Sequence, residues 1–359
     1  MYNERNENLA SLWVKEAKRR RDDGLGGVIV FPESTEPRTL SAIVRLCDAG
    51  AARRVVLLGE RKASLAAAET VDGDLRGQLE RHAQGTAIEW TGDSIPELQR
   101  ITHQVLEVAA AAKGKTLDPA RHEAMSMAPL YQAGALVRSG HATCALAGAA
   151  STTADVIRAA LATVGLADGV RTASGSFIME REGSDDPQAL LFADSGVVVE
   201  PDPDQLVDIA AASVSTWEAL VPQCGFTASG TEPVVAFLSF STKGSAGHPS
   251  ATRIAEAAAM FRKKFPHIRT DGELQFDAAT VPGIAQRKCP SSPVAGQANI
   301  LVFPDLNSGN IAYKITQRLA GFNACGPILQ GLAQPYSDLS RGSTPHDIFL
   351  SALACLLRG

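Results

Sequence analysis

The sequence predicts an α/β protein of two domains, with mainly parallel sheets and helices on both faces. Apolar runs of strand length alternate with helical patterns from residue 26 to residue 320, and strands separated by helices in this way enter parallel sheets covered on both sides. The alternation breaks once, after Ala173, where several strand-like segments follow closely and mark a second domain. With 359 residues, 45% of them hydrophobic and 20% charged, the chain can fill two cores.

A first helix ends in the basic run Lys18-Arg19-Arg20-Arg21, where cations complement the helix dipole; Asp22 and Asp23 follow at once and weigh against nucleic acid as its partner. Residues 26–31 read as a short buried strand, 37–50 as a helix and 53–58 as a second strand. The stretch 62–134 is partly helical, and its alanine run at 108–112 predicts a packed helix stopped by Gly114. A strand at 142–148 then leads through a Ser/Thr-rich turn into a helix with Val156, Ile157, Ala160, Leu161 and Val164 on its apolar face. Beyond Ala173 the expected strands are 174–179, 189–192 and 197–200, the first two joined by a polar loop at 181–187. Helix 203–221, strand 234–240, helix 251–265, strand 272–276, helix 278–288, strand 300–304 and helix 310–320 follow. A last amphipathic helix carries Ile348, Phe349, Ala352, Leu353, Leu356 and Leu357.

Composition excludes several classes. A net charge of −5 gives no general attraction to nucleic acid or to anionic membranes, and 5% aromatic residues give no stacking platform. The six cysteines, Cys47, Cys144, Cys224, Cys289, Cys325 and Cys355, form no C-x-x-C pair, and no H-x-x-x-H pair exists. Neither a zinc site nor a disulfide framework is expected, and the thiols read as reduced. The N-terminus is polar and no run of 18 apolar residues follows, so the expectation is a cytoplasmic chain without a membrane partner.

The chemistry concentrates near the end. Ser340-Arg341-Gly342 sets a hydroxyl and a guanidinium beside a residue tolerant of left-handed backbone, so side chains and N–H groups can converge on one oxyanion. A helix then starts with Thr344 as N-cap, Pro345 at the first position and Asp347 in the capping-box place. Its N-terminus favours an anion held there. Asp347 has two readings, a capping carboxylate or a general base. The turn Ser151-Thr152-Thr153 before a helix is a second possible phosphate cradle, although it lacks the glycine-rich fingerprints. Arg158 lies off the apolar stripe of that helix, facing solvent or a ligand. In the second domain Lys243, Asp305 and Asn310 fall at the mouths of strands, where α/β sheets bind ligands; Lys243 beside Gly244 reads as an anion contact or as a lysine in a polar loop.

These residues resemble the phosphate acetyltransferase (phosphotransacetylase) family. The resemblance covers nearly the whole chain and is carried by FLSFSTKGS at 237–245, DGELQFDAA at 271–279, VAGQAN at 294–299, FPDL at 303–306, GNIAYKITQRL at 309–319, GPILQGL at 326–332 and DLSRG at 338–342. It implies a fold similar to isocitrate and isopropylmalate dehydrogenases, with a cleft between a discontinuous first domain, 1–168 and 330–359, and a second, 169–329, through which family members dimerise. It implies acetyl transfer between coenzyme A and inorganic phosphate, with no metal and no cofactor beyond coenzyme A as substrate. By motif position Asp347 resembles the base that deprotonates the thiol, Arg341 and Arg158 the groups that hold the phosphoryl end, and Ser340 a partner that orients thiol or carbonyl. Ser151, Thr152, Thr153, Lys243 and Asn310 complete the expected substrate contacts.

A free thiol near ~8.5 and an aspartate near ~3.9 differ by about 6 kcal/mol at ~1.36 per pH unit, so the site must narrow that gap, and Arg341 is expected to face phosphate rather than Asp347. The chain departs from the family pattern in three places: an Arg-Lys pair resembling the anchor for the coenzyme A 3′-phosphate aligns with residues 109–112, all alanine, and Ser151 and Ser337 replace a His and an Asn. Weak coenzyme A binding is the expectation from the first departure. The alternatives are a longer acyl group such as butyryl, or a regulatory protein with impaired catalysis.

Overall fold

The structure, a computed structural model, describes residues 8–71, 73–85, 87–92, 95–116, 118–181, 188–222, 231–294 and 296–359. Residues 182–187 of the expected polar loop, Cys224 and Ala295 of the VAGQAN stretch lie outside them. Two compact units emerge, residues 13–168 with 332–359, and residues 8–12 with 169–331. In chain order the strands are β1 (Val28–Phe31), β2 (Arg54–Leu57), β3 (Ile88–Trp90), β4 (Cys144–Leu146), β5 (Ser174–Arg181) and β6 (Gln188–Ala193). They continue with β7 (Val234–Leu238), β8 (Arg269–Leu274), β9 (Ile300–Val302), β10 (Asn323–Gln330) and β11 (Tyr336–Ser337).

The unit of residues 13–168 and 332–359 holds a five-stranded sheet ordered β11-β4-β1-β2-β3, parallel throughout. β1 is buried at every position, as a central strand covered on both faces must be. Helix Pro345–Leu357 packs on helix Pro37–Asp48 and on β1, β4 and β11. The expected amphipathic pattern does not hold there: all ten residues from Ile348 to Leu357 are buried, because the helix is enclosed between the sheet and its neighbour. The alanine run is helical, in Ile95–Ala112, and Gly114 follows with φ 63°. This helix packs on helices Pro119–Met127, Pro129–Arg138 and Thr153–Thr163 through buried Leu98, Thr102 and Leu106, while Val108 is 60% exposed. The basic run 18–21 closes helix Leu9–Asp22, with Arg19 paired to Glu16 and Asp23, Arg20 to Glu16, and Arg21 to Asp22.

The other unit holds a six-stranded mixed sheet, β10-β5-β6-β9-β7-β8, in which the pairs β10–β5 and β5–β6 are antiparallel and the rest parallel. β10 escapes a sequence reading because Gly326-Pro327 interrupts its alternation; proline lacks a ladder donor and is tolerated here on an edge strand. The expected strand 197–200 does not form. The Asp194 carboxylate accepts the N–H groups of Gly196, Val197 and Val198 at 2.6, 3.0 and 2.8 Å, which removes the donors a ladder would use. The expected helix 278–288 is two helices, Phe276–Thr280 and Pro282–Lys288, because Pro282 can begin a helix but not continue one.

Candidate functional site

Parallel pairing brings the two predicted turns together. β11 and β4 are neighbours in register, with Tyr336 opposite Ala145 and Ser337 opposite Leu146, so the turn at 148–151 and the turn at 340–343 leave the same edge of the sheet. β1 lies on the other side of β4; the loop after it supplies Glu33, and the helix Pro37–Asp48 that follows supplies Arg38 in its first turn. The Glu33 carboxylate accepts four successive backbone N–H groups, from Gly148 (3.1 Å), Ala149 (2.8 Å), Ala150 (3.1 Å) and Ser151 (2.7 Å). Of the expected Ser151-Thr152-Thr153 cradle, only the Ser151 N–H is among these four donors, and it is held by a carboxylate of the chain itself. Gly148 has φ 107°, and a Cβ there would collide with the Asp338 carboxylate, so only glycine fits.

The turn at Ser340 is held by its main chain and open at its side chains. Ser340 Oγ accepts the Gly342 N–H at 3.2 Å, and the carbonyls of Arg341 and Ser343 accept from Arg38 at 2.7 and 3.0 Å. Among the described residues the Arg341 guanidinium makes no ion pair or hydrogen bond and is exposed. No Arg341–Asp347 pair forms among the described residues. Asp347 does form the capping box: its Oδ2 accepts the Thr344 N–H and hydroxyl, each at 2.8 Å, while Thr344 Oγ1 accepts the Asp347 N–H at 3.2 Å. Its other oxygen takes no part in the cap.

Thr152 caps helix Thr153–Thr163, and its hydroxyl donates to Asp155 at 2.7 Å. Arg158, half exposed, pairs with Asp155 at 2.5 Å. Hydrogen bonds from Thr152 and then from Arg158 lower the Asp155 carboxyl. Asp338, which follows β11, is fully buried, and burial pushes its carboxyl up to about 6, with Glu33 adding to the rise. The Thr153 hydroxyl and the Leu339 N–H lower it in part, yet neither Asp338 oxygen makes a well-formed hydrogen bond among the described residues.

Two cavities adjoin these turns. One of about 450 Å³ is lined by Glu33, Ser151, Asp155, Arg158 and the wall from Ala128 to Tyr131, which Tyr336 fixes by donating its hydroxyl to the Leu130 carbonyl at 2.9 Å. Ser340, Arg341 and Asp347 do not line it; Arg38 ties their turn to Ala149, two residues from Ser151. The second, of about 460 Å³, shares Tyr131 and Arg158 with the first and adds Lys113, Lys115 and Arg121 beside Ala109 and Ala110. Among the described residues these three cations have no carboxylate partner; Lys113 donates to the Leu161 carbonyl at 3.0 Å, and Asp118 caps helix Pro119–Met127. The departure at residues 109–112 thus leaves no shortage of positive charge, because the next turn and helix supply it.

Lys243 and Asn310 belong to the other unit, and both have partners within it. Lys243, with φ 50°, donates to the buried Asp271, which also takes Arg262 at 2.7 Å. Burial raises the Asp271 carboxyl, but Lys243, Ser292 and the Gly272 N–H outweigh it and the net direction is down. Lys243 is therefore not the free cation its place beside glycine suggested. Asn310 donates to the Ser195 carbonyl at 3.2 Å. No cluster of His, Cys, Asp and Glu able to hold a metal occurs among the described residues.

Sequence reasoning missed Glu33, Arg38, Lys115, Arg121 and Asp338. A signal for the first two existed, since acids and an arginine follow the central strand where parallel sheets gather their ligand groups.

The sequence pattern of the family described as "Phosphate acetyl/butaryl transferase" matches residues 13–355. A phosphate acetyltransferase of Paracoccus denitrificans is 41% identical over 322 residues, 89% of this chain and 91% of that protein. The solved phosphotransacetylase from Streptococcus pyogenes superposes with a TM-score of 0.80 at 34% identity, covering 98% of each chain. The EutD phosphotransacetylase from Staphylococcus aureus gives 0.79 at 33% identity, covering 98% of this chain and 99% of that one. The chain belongs to the phosphate acetyl/butaryl transferase family.

Proposed function

We propose that the chain is a phosphate acetyltransferase, moving an acetyl group reversibly between coenzyme A and inorganic phosphate in a ternary complex. The observation that carries this reading is the pair of adjoining turns that leave Arg341 and one oxygen of Asp347 without intramolecular partners. Asp347 takes the thiol proton, the thiolate attacks the acetyl carbonyl carbon, the C–S bond forms, the C–O bond to phosphate breaks, and phosphate departs. Ser340 orients thiol or carbonyl, and Arg341 and Arg158 stabilise the phosphoryl charge. Ser151 offers its hydroxyl in the cavity, Thr152 acts through Asp155 and Thr153 through Asp338. Lys243 and Asn310 take structural roles in their own unit.

Coenzyme A is a substrate, and the reaction as written needs no metal or prosthetic group. Lys113, Lys115 and Arg121 hold the 3′-phosphate end in the cavity walled by Ala109 and Ala110. The enzyme is a cytoplasmic homodimer in this reading. Support for the reducing compartment comes from Cys47, Cys144, Cys289 and Cys355, which are thiols among the described residues. Support for the dimer comes from Ile311, Ile315 and Leu319, an exposed i, i+4, i+8 stripe on helix Leu306–Ala320 of the second domain.

The test is phosphate-dependent thiol release from acetyl-CoA, from butyryl-CoA and from acetyl-dephospho-CoA. Acetyl-CoA is expected to turn over fastest, and Arg121→Ala to raise its KM by roughly 10-fold, the scale of one charge-assisted hydrogen bond, while leaving the dephospho substrate unchanged. No turnover of acetyl-CoA would end the reading. Equal KM changes for both substrates would remove the anchor alone.

A further inference from the structure

Arg38 belongs to none of the motifs described above, yet it is the side chain that joins them. A guanidinium has five N–H donors in a planar fork, and here all five have acceptors. Nε and Nη2 bond the Glu36 carboxylate at 2.8 and 3.1 Å, Nη1 bonds the carbonyls of Arg341 at 2.7 Å and Ser343 at 3.0 Å, and Nη2 also bonds the Ala149 carbonyl at 2.8 Å. Glu36 is itself the N-cap of helix Pro37–Asp48, so the fork is oriented by a group the helix start already fixes.

We propose that Arg38 is a positioning residue for the transfer reaction: by gripping the main chain of Arg341, Ser343 and Ala149, it sets where the Arg341 guanidinium stands relative to the Ser151 side of the cavity. This rests on reading Arg341 as the group that holds phosphate. The division of labour is physical. Arg38 contacts only backbone oxygens of the two turns, which leaves the Arg341 side chain unpartnered for a ligand, while Glu33 holds the other turn by its four N–H groups. Lysine cannot substitute, because an ammonium is a point donor on a flexible stem and cannot span acceptors on two turns and a carboxylate. A displacement of ~1 Å at a reacting group lowers rates on the order of 10²-fold.

The experiment measures kcat and both KM values, with thermal melting, for wild type, Arg38→Lys, Arg38→Met, Arg341→Ala and the double variant Arg38→Lys/Arg341→Ala. Arg38→Lys is expected to melt near wild type and to lose roughly 10- to 100-fold in kcat/KM for phosphate, with the KM for acetyl-CoA moving less than about 3-fold. In the Arg341→Ala background the same substitution is expected to add less than about 3-fold, because the group it positions is gone. An equal factor in both backgrounds, wild-type kinetics in Arg38→Lys, or both KM values rising together with a lowered melting point would overturn the proposal. If Arg341→Ala itself retains full activity, the reading of Arg341 falls and the positioning role falls with it. Should Arg38→Met not fold, Arg38→Lys carries the test.

Discussion

Two buried aspartates in the two sheets' surroundings handle a neighbouring cation in opposite ways. Asp271, in β8, holds Lys243 and Arg262, and its carboxyl is lowered. Asp338, just after β11, has no cation on it although Arg341 is three residues away, and its carboxyl is raised. The first arrangement gives an ion cluster in which the buried carboxylate is compensated by two cations of its own unit. The second leaves an arginine whose backbone is fixed and whose charge is uncompensated, which is what an anion site requires. A basic residue beside a glycine in a strand-end loop is thus not a site until its counter-charge is known.

The largest effect that sharpens this contrast is at Asp347. Asp347→Asn keeps an acceptor for the Thr344 cap, so the melting point is expected to shift little, while kcat falls by roughly 10²- to 10⁴-fold. Full activity in a folded Asp347→Asn would reduce the residue to its capping role. Next comes Asp338→Asn. A carboxyl whose folded value is about 6 against 3.8 holds its proton more tightly folded than unfolded, so this group's contribution to stability falls as pH rises from about 4 to 6 and stays at its lower level above. At ~1.36 kcal/mol per pH unit the penalty is roughly 3 kcal/mol. The variant is expected to gain up to that amount at pH 7.5 and little at pH 4, by urea denaturation; identical pH profiles for the two proteins would refute the assignment. The smallest effect is at Lys243→Met, where a buried carboxylate loses one of two partners. A loss of about 1–2 kcal/mol is expected, discounted for the exposure of the lysine, with activity within about 2-fold of wild type. A fall in activity with unchanged stability would restore Lys243 as a substrate contact.

What was legible in the sequence is what short-range chemistry specifies. Thr344, Pro345 and Asp347 announce their helix start because a capping box needs only four residues, and the β-α alternation announces the parallel sheets. Glu33 and Arg38 were hidden because the turns they hold lie more than a hundred positions away and are held by their backbone atoms, which carry no sequence signal. Arg121 was hidden because the charge lost at residues 109–112 returns from the next helix. The burial of residues Ile348 to Leu357 on all sides of their helix was hidden because Ser351 and the alanines look like a polar face when they are only small.

The order of assembly follows from β11 and the helix after it. They complete a unit whose other strands all precede residue 169, and residues 169–331 intervene. At ~5–20 residues per second those intervening residues occupy a ribosome for on the order of 10–30 s. Throughout that interval the flank of β4 and the apolar faces of β1 and helix Pro37–Asp48 are made but uncovered. The nascent polypeptide thus carries four of the five strands of this sheet with apolar surface open to water until β11 and the final helix are made.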